Sequence, residues 1–104
     1  MDLDIGYVRR TGRTVIVVRG DIDADHGVQV AAAVADEIAE GPTAVSLDLR
    51  GVDFVDSSGM RALLRVAADA QRLGRDLEVW PSESLRRLSA TMGVDAVLGI
   101  GVLG

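Results

Sequence analysis

Residues 47–60 read LDLRGVDFVDSSGM, and this stretch contains the change of pattern that decides the fold. Leu47 and Leu49 alternate with charged residues, which is typical of a strand with one buried face. The chain then passes through a loop into Asp-Ser-Ser-Gly, where Asp56 or Ser57 can accept an orphan backbone N–H at the start of a helix. The stretch therefore predicts a strand at 44–49, a loop, and a helix whose first residues are exposed.

The remaining sequence predicts four more strands before the chain ends, and three helices in all. Strands are expected at 3–7, 14–18, 77–80 and 97–102, in addition to 44–49, and the first two form a hairpin. The β-branched run at 14–18 predicts a central strand covered on both faces. Helical spacing predicts three inward stripes: Val28, Ala31, Ala35 and Ile38; Met60, Leu63, Leu64 and Ala67; and Leu85, Leu88 and Met92.

The order β-β-α-β-α-β-α-β predicts an α/β fold. Gly41-Pro42, Gly74 and Gly93 each end a predicted helix, and no linker or repeat interrupts the chain. We therefore expect a single domain over residues 1–104. It should contain a mixed four- to five-stranded sheet covered by three main helices.

Composition argues against several kinds of site. The chain has 104 residues, no cysteine and a single histidine, His26. Thiolate chemistry and disulfides are excluded, and a multi-histidine metal site is excluded as well. No P-loop, dinucleotide fingerprint or Gly-x-Ser-x-Gly elbow occurs. We therefore expect a protein that is not an enzyme and that needs no cofactor or metal.

The charge distribution is uneven. The net charge is −5, and residues 21–56 contain nine acidic side chains and one arginine. An acidic surface disfavours nucleic acid and anionic membranes as partners. The N-terminal residues lack the basic region and apolar core of a secretory signal, so a cytoplasmic location is expected. Asp21, Asp23 and Asp25 crowd one turn and Asp53 and Asp56 another, so a fold that joins the turns would create an acidic patch.

A serine hydroxyl at the start of a helix suits the role of a phosphate acceptor. Ser57 has no base beside it in the sequence, because His26 lies in a different segment. A kinase that brings its own base and metal could phosphorylate such a serine.

Two motifs occur in order along the chain, Gly20-Asp21-Ile22-Asp23 after the second predicted strand and Asp56-Ser57-Ser58-Gly59-Met60 at the start of the second predicted helix. They resemble the turn after the second strand and the phosphorylation motif of STAS-domain anti-sigma factor antagonists. Residues 85–88 and Met92-Gly93-Val94 are similar to the family's third-helix segment. The resemblance runs from about residue 3 to residue 102. Any C-terminal helix of relatives would be missing or very short here.

The resemblance implies a bacterial partner switch that regulates transcription, for example in a stress response. The unphosphorylated antagonist would bind an anti-sigma factor that is also a serine kinase, and the sigma factor would be freed. Phosphorylation of Ser57, or of Ser58 as second choice, would release the kinase, and a phosphatase would reset the site. The implied partner contacts are Asp21, Asp23, Asp56, Ser57, Ser58, Gly59, Met60 and Arg61.

Two other functions stay open from the sequence. One is a STAS docking module of a stressosome-like or lipid-transport complex, without sigma-factor switching. The other is a small hydrolase that would use Ser57 and His26. The sequence also leaves a weak homodimer open.

Overall fold

The computed structural model describes residues 3–40 and 44–98, which form a four-stranded sheet and four helices. The strands are β1 (Asp4–Arg10), β2 (Arg13–Ile22), β3 (Ala44–Val55) and β4 (Asp76–Pro81). The helices are α1 (Ala24–Glu40), α2 (Ser57–Arg72), α3 (Glu83–Met92) and α4 (Asp95–Leu98). The α/β class, the mixed sheet and the three main helices are confirmed.

The sheet order is β1-β2-β3-β4, with β1 antiparallel to β2 and the other pairs parallel. The predicted hairpin of the first two strands is confirmed. Because β2, β3 and β4 are parallel, α1 and α2 serve as crossovers between them. Parallel strands end at the same edge of a sheet, so the turns that lead into α1 and α2 lie at one edge.

Three sequence predictions need correction. The strand predicted at 44–49 continues to Val55, and the predicted strand at 97–102 is not seen, since Val97 and Leu98 belong to α4 and residues 99–102 lie outside the described part. The run at 14–18 is covered on one face: Thr14, Ile16 and Val18 are buried, whereas Val15 and Val17 are only half-buried.

The polar face of the sheet is covered largely by its own side chains. Arg13 donates a hydrogen bond to buried Ser46, and Arg50 donates two to the carboxylate of buried Asp48, at 2.9 and 3.0 Å. The Arg50 guanidinium also lies 5.1 Å from the centre of the Trp80 ring. These hydrogen bonds from Arg50 hold the pKa of Asp48 below its ordinary value. The buried polar side chains of Ser46 and Asp48 thus both have hydrogen-bond partners.

Two predicted inward stripes are also revised. Val28 is exposed, and the buried face of α1 consists of Gly27, Val30, Ala33, Val34, Glu37 and Ile38. Met92 of α3 is exposed, whereas Leu85 is fully buried. The α2 stripe is close to the prediction, with Met60 and Leu63 buried and Leu64 and Ala67 half-buried. The rotated phase of α1 follows from a close contact at Gly27, described below.

Replacing Arg9 with alanine is expected to lower the free energy of unfolding by about 1–3 kcal/mol. Arg9 of β1 makes an ion pair with Glu37 of α1, whose side chain is only 7% exposed. Without Arg9 the buried carboxylate loses its hydrogen-bond donor, which carries a penalty of that size. Urea denaturation would measure the change. Arg10→Ala is the matched control, because Arg10 lies on the opposite face of β1. Equal effects of the two substitutions would contradict the prediction.

Candidate functional site

The turns after β2 and β3 lie side by side at the carboxyl edge of the sheet. Ile22, the last residue of β2, pairs with Val55, the last residue of β3. The backbone N–H of Asp56 donates to the Ile22 carbonyl at 3.2 Å and joins the two turns. The structure thus brings together the two acidic turns that the sequence placed 30 residues apart.

Each turn leads into its helix through an aspartate. The Asp56 carboxylate accepts the Gly59 N–H at 2.7 Å and caps α2. The Asp23 carboxylate accepts the His26 N–H at 2.9 Å at the start of α1. This hydrogen bond is the main cause that lowers the pKa of Asp23 below its ordinary value. Both carboxylates therefore stabilise a helix start, because they accept backbone N–H groups that have no partner within the helix.

Two glycines allow the beginnings of α1 and α2 to approach closely. A Cβ atom on Gly59 would lie 2.1 Å from the Ile22 carbonyl oxygen. A Cβ atom on Gly27 would lie 2.6 Å from the Ala62 Cβ and 3.7 Å from the Gly59 Cα. Both contacts exclude any larger residue unless the backbone or a neighbour shifts. The glycine of the Asp-Ser-Ser-Gly motif is therefore required by the packing of the strand edge against α2.

The two serines of the motif differ in exposure. Ser57 is the first residue of α2 and is exposed, whereas Ser58 is half-buried. Among residues 3–40 and 44–98 the Ser57 hydroxyl has no hydrogen-bond partner. The His26 ring is engaged elsewhere, because its Nδ1–H donates to the Asp21 carbonyl at 2.6 Å. Ser57 is thus an accessible alcohol, and no general base in the described part of the chain contacts it.

The other residues singled out from the sequence occupy different environments. One carboxylate oxygen of Asp21 is inaccessible to solvent and has no hydrogen-bond donor within the described part of the chain. Gly59 is buried, and the Met60 side chain is fully buried in the core. Arg61 is exposed on α2. The Met60 side chain therefore packs in the core, and a partner contact at Gly59 and Met60 stays a prediction.

Sequence reasoning missed two exposed apolar side chains near these turns. Phe54 is 56% exposed and pairs with Asp21 in the sheet, and Val28 is 66% exposed in the first turns of α1. The isolated phenylalanine between Asp53 and Val55 was a signal, because aromatic residues are enriched in contact surfaces. Val28 gave no such signal, since its spacing fitted the buried stripe.

We name the surface formed by Asp21, Asp23, Asp53, Asp56 and Ser57 the acidic junction. Asp53 and Asp23 are exposed, and the Asp53 carbonyl accepts a hydrogen bond from the Ser84 hydroxyl of α3 at 2.9 Å. Within the described ranges, no group of three or more His, Cys, Asp or Glu side chains has a geometry that could hold a metal ion. The arrangement can present an alcohol, flanked by carboxylates and apolar side chains, to another protein.

The fold is a mixed α/β domain with two helical crossovers, and an exposed serine follows its third strand. The chain matches the family model described as "Mlab, STAS domain" over residues 5–100, and it belongs to this family. No helix within the described residues has both the length and the apolar character needed to cross a membrane.

Several relatives are anti-sigma factor antagonists. The chain is 30% identical over 87 residues to the anti-sigma-F factor antagonist RsfB of Mycobacterium tuberculosis. The matched region covers 81% of this chain and 69% of RsfB. A crystal structure of an anti-sigma factor antagonist from Mycobacterium paratuberculosis superposes with a TM-score of 0.76 and 26% identity, over 91% of this chain and 81% of that one.

SpoIIAA shares the fold at lower identity. Its unphosphorylated form gives a TM-score of 0.71 with 21% identity, over 89% of this chain and 84% of SpoIIAA. The phosphorylated form from Bacillus gives a TM-score of 0.66 with 22% identity, over 91% of this chain and 86% of SpoIIAA. The sequence-based resemblance to STAS-domain antagonists is confirmed.

Proposed function

We propose that this chain is an anti-sigma factor antagonist that is switched by phosphorylation of Ser57. The unphosphorylated chain binds an anti-sigma factor that is also a serine kinase, and the sigma factor is released. The observation that carries the proposal is the exposed Ser57 hydroxyl at the acidic junction, in a chain whose relatives include anti-sigma-F factor antagonists.

Ser57 acts in this proposal as a substrate. Its Oγ attacks the γ-phosphorus of ATP, the Oγ–P bond forms, and the bond from that phosphorus to the β–γ bridging oxygen breaks to release ADP. The kinase takes the hydroxyl proton and supplies the magnesium ion. The lack of a base in contact with Ser57 favours this role over a hydrolase, since an unassisted serine is a weak nucleophile.

The docking surface combines charge with exposed apolar area. Asp23 and Asp53 contribute negative charge, and Phe54 and Val28 contribute apolar contacts. A partner with basic side chains around an apolar pocket fits this surface, because complementary charge speeds association and a buried aromatic anchor contributes binding energy. A phosphatase that acts on phosphorylated Ser57 completes the switch and returns the chain to its binding form.

Intact-mass spectrometry tests the proposal directly. The chain is incubated with Mg-ATP and a kinase-type anti-sigma factor from the source organism, and fragmentation locates any added phosphoryl group. We expect one phosphoryl group on Ser57, none on Ser57→Ala, and unchanged modification of Ser58→Ala. Binding without phosphorylation would overturn the switch and favour the docking-module alternative. Modification of Ser58 would transfer the acceptor role to that residue.

A further inference from the structure

Arg61 is the cationic side chain that lies nearest to Ser57 along the exposed face of α2. Residues four apart on a helix are neighbours, with Cβ atoms about 5–6 Å apart. Ser57 and Arg61 have this spacing, and both are exposed. The residue at the other neighbouring position, Met60, is directed into the core. A group attached to the Ser57 hydroxyl therefore meets Arg61 as its next neighbour on the helix surface.

Within the described residues, no acidic side chain pairs with the Arg61 guanidinium. Elsewhere on the helices arginines do find acids: Arg72 pairs with Asp69 at 3.0 Å, and Arg87 pairs with Glu83 at 2.6 Å. Arg61 makes no ion pair and no side-chain hydrogen bond within residues 3–40 and 44–98. Four residues further along the helix stands Arg65, another cation, so no carboxylate on this stripe competes for Arg61 from that side.

The surroundings of Ser57 on its other side are negative. Asp56 and Asp23 have their carboxylates at the helix starts, and Asp53 is exposed at the end of β3. The His26 ring donates from Nδ1 to the Asp21 carbonyl. A phosphate at Ser57 is therefore repelled by these carboxylates and attracted along the helix, where arginine provides the planar donor pair that phosphate oxygens accept.

We propose that Arg61 holds the phosphate carried by Ser57 within the same chain. This inference rests on the proposed phosphorylation of Ser57 and adds a specific role for Arg61. In the unphosphorylated chain the Arg61 guanidinium is available to acids of a bound partner. In the phosphorylated chain the phosphate engages it, so a single modification adds negative charge and withdraws a positive contact. The phosphate is thereby directed along α2 and away from the two aspartate caps.

The experiment uses the full chain with phosphoserine incorporated at position 57 during synthesis, so no kinase is needed. Phosphorus NMR follows the second ionisation of the phosphate, whose ordinary pKa is about 6. Because Arg61 favours the dianion, we expect this pKa to rise by about 0.15–0.4 unit in Arg61→Gln. The Nε–H signal of Arg61 should also shift between the unmodified and phosphorylated chains.

Arg65→Gln is the matched control. It removes the same charge one helical turn further away, beyond about 10 Å, where salt screens most of the interaction. The phosphate pKa of the Arg65→Gln variant should stay within about 0.1 unit of the value in the unsubstituted chain. Equal pKa values in the Arg61→Gln and unsubstituted chains, or equal shifts in both variants, would overturn the role of Arg61. Because the phosphate is installed without an enzyme, failure here is distinct from a failure of kinase-catalysed phosphorylation.

Discussion

Gly59→Ala is expected to lower the free energy of unfolding by about 3 kcal/mol, at the upper end of overpacking effects. The new Cβ would lie 2.1 Å from the carbonyl oxygen of Ile22 and 2.8 Å from its carbonyl carbon. Both atoms belong to the backbone, so no side-chain rotation relieves the clash. The start of α2 must move away from β2, which also stretches the hydrogen bond from Asp56 N–H to the Ile22 carbonyl. Urea denaturation followed by circular dichroism would measure the loss.

Gly6→Ala provides the matched control for this substitution. Gly6 lies in β1, and a Cβ atom added there meets nothing within 4 Å. The same chemical change should therefore alter the free energy of unfolding by less than about 1 kcal/mol. If Gly59→Ala were as stable as Gly6→Ala, the close packing of α2 on the edge of β2 would not exist as described. The motif glycine would then need a functional explanation instead of a structural one.

The limits of the sequence-based fold prediction lie at irregular places in the sheet. Apolar alternation ends at Arg50, and the sequence therefore predicted a loop. The strand nevertheless continues, and its pairing with β2 contains two bulges. At each bulge β3 has one extra residue, opposite the Val17–Arg19 step and opposite the Gly20–Asp21 step of β2. Such bulges break the two-residue period while the strand pairing continues. A period-based prediction ends the strand where the first bulge begins.

The error in α1 has a different cause. Val28 fitted a helical stripe, yet it is exposed, because Gly27 faces α2 and lets the two helices approach. Glycine has no side chain that counts toward an apolar stripe, so its role in helix packing is invisible to hydrophobic spacing. The sequence did place the motif residues Asp56 and Ser57 correctly at the start of a helix. The helix cap could be predicted from the local sequence, whereas the contact between α1 and α2 could not.

The sequence predicted that the two acidic turns form a patch only if the fold brings them together. The sequence showed that Asp23 and Asp56 each follow a strand, and parallel pairing of those strands brings their ends together. Exposure of Phe54 required the structure, since the residue lies in an extension of β3 that the sequence did not predict. Burial of the Met60 side chain follows from its place on the apolar stripe of α2.

Phosphorylation of Ser57 is expected to weaken binding to the kinase-type anti-sigma factor by about 100-fold or more. A kinase that modifies Ser57 must place nucleotide phosphates beside its hydroxyl, so a phosphate already on Ser57 meets like charge at short range. Phosphoserine adds about 1.5–2 negative charges. One like-charge pair at ~5 Å costs about 3 kcal/mol at an effective dielectric constant near 20. That cost corresponds to a change in Kd of slightly more than 100-fold.

Isothermal titration of the ADP-bound kinase with four forms of the chain measures this effect: unmodified, phosphoserine at 57, Ser57→Ala and Ser57→Asp. Ser57→Ala should bind as tightly as the unmodified chain, because alanine adds no charge at the acidic junction. The affinity of Ser57→Asp should fall between those of the unmodified and phosphorylated forms, since one carboxylate carries less charge than a phosphate.

Backbone NMR shifts of the phosphorylated chain should change near the acidic junction and stay unchanged elsewhere. Equal affinity of the phosphorylated and unmodified chains would contradict the electrostatic switch, and shifts spread through the sheet would show that phosphorylation acts by altering the fold.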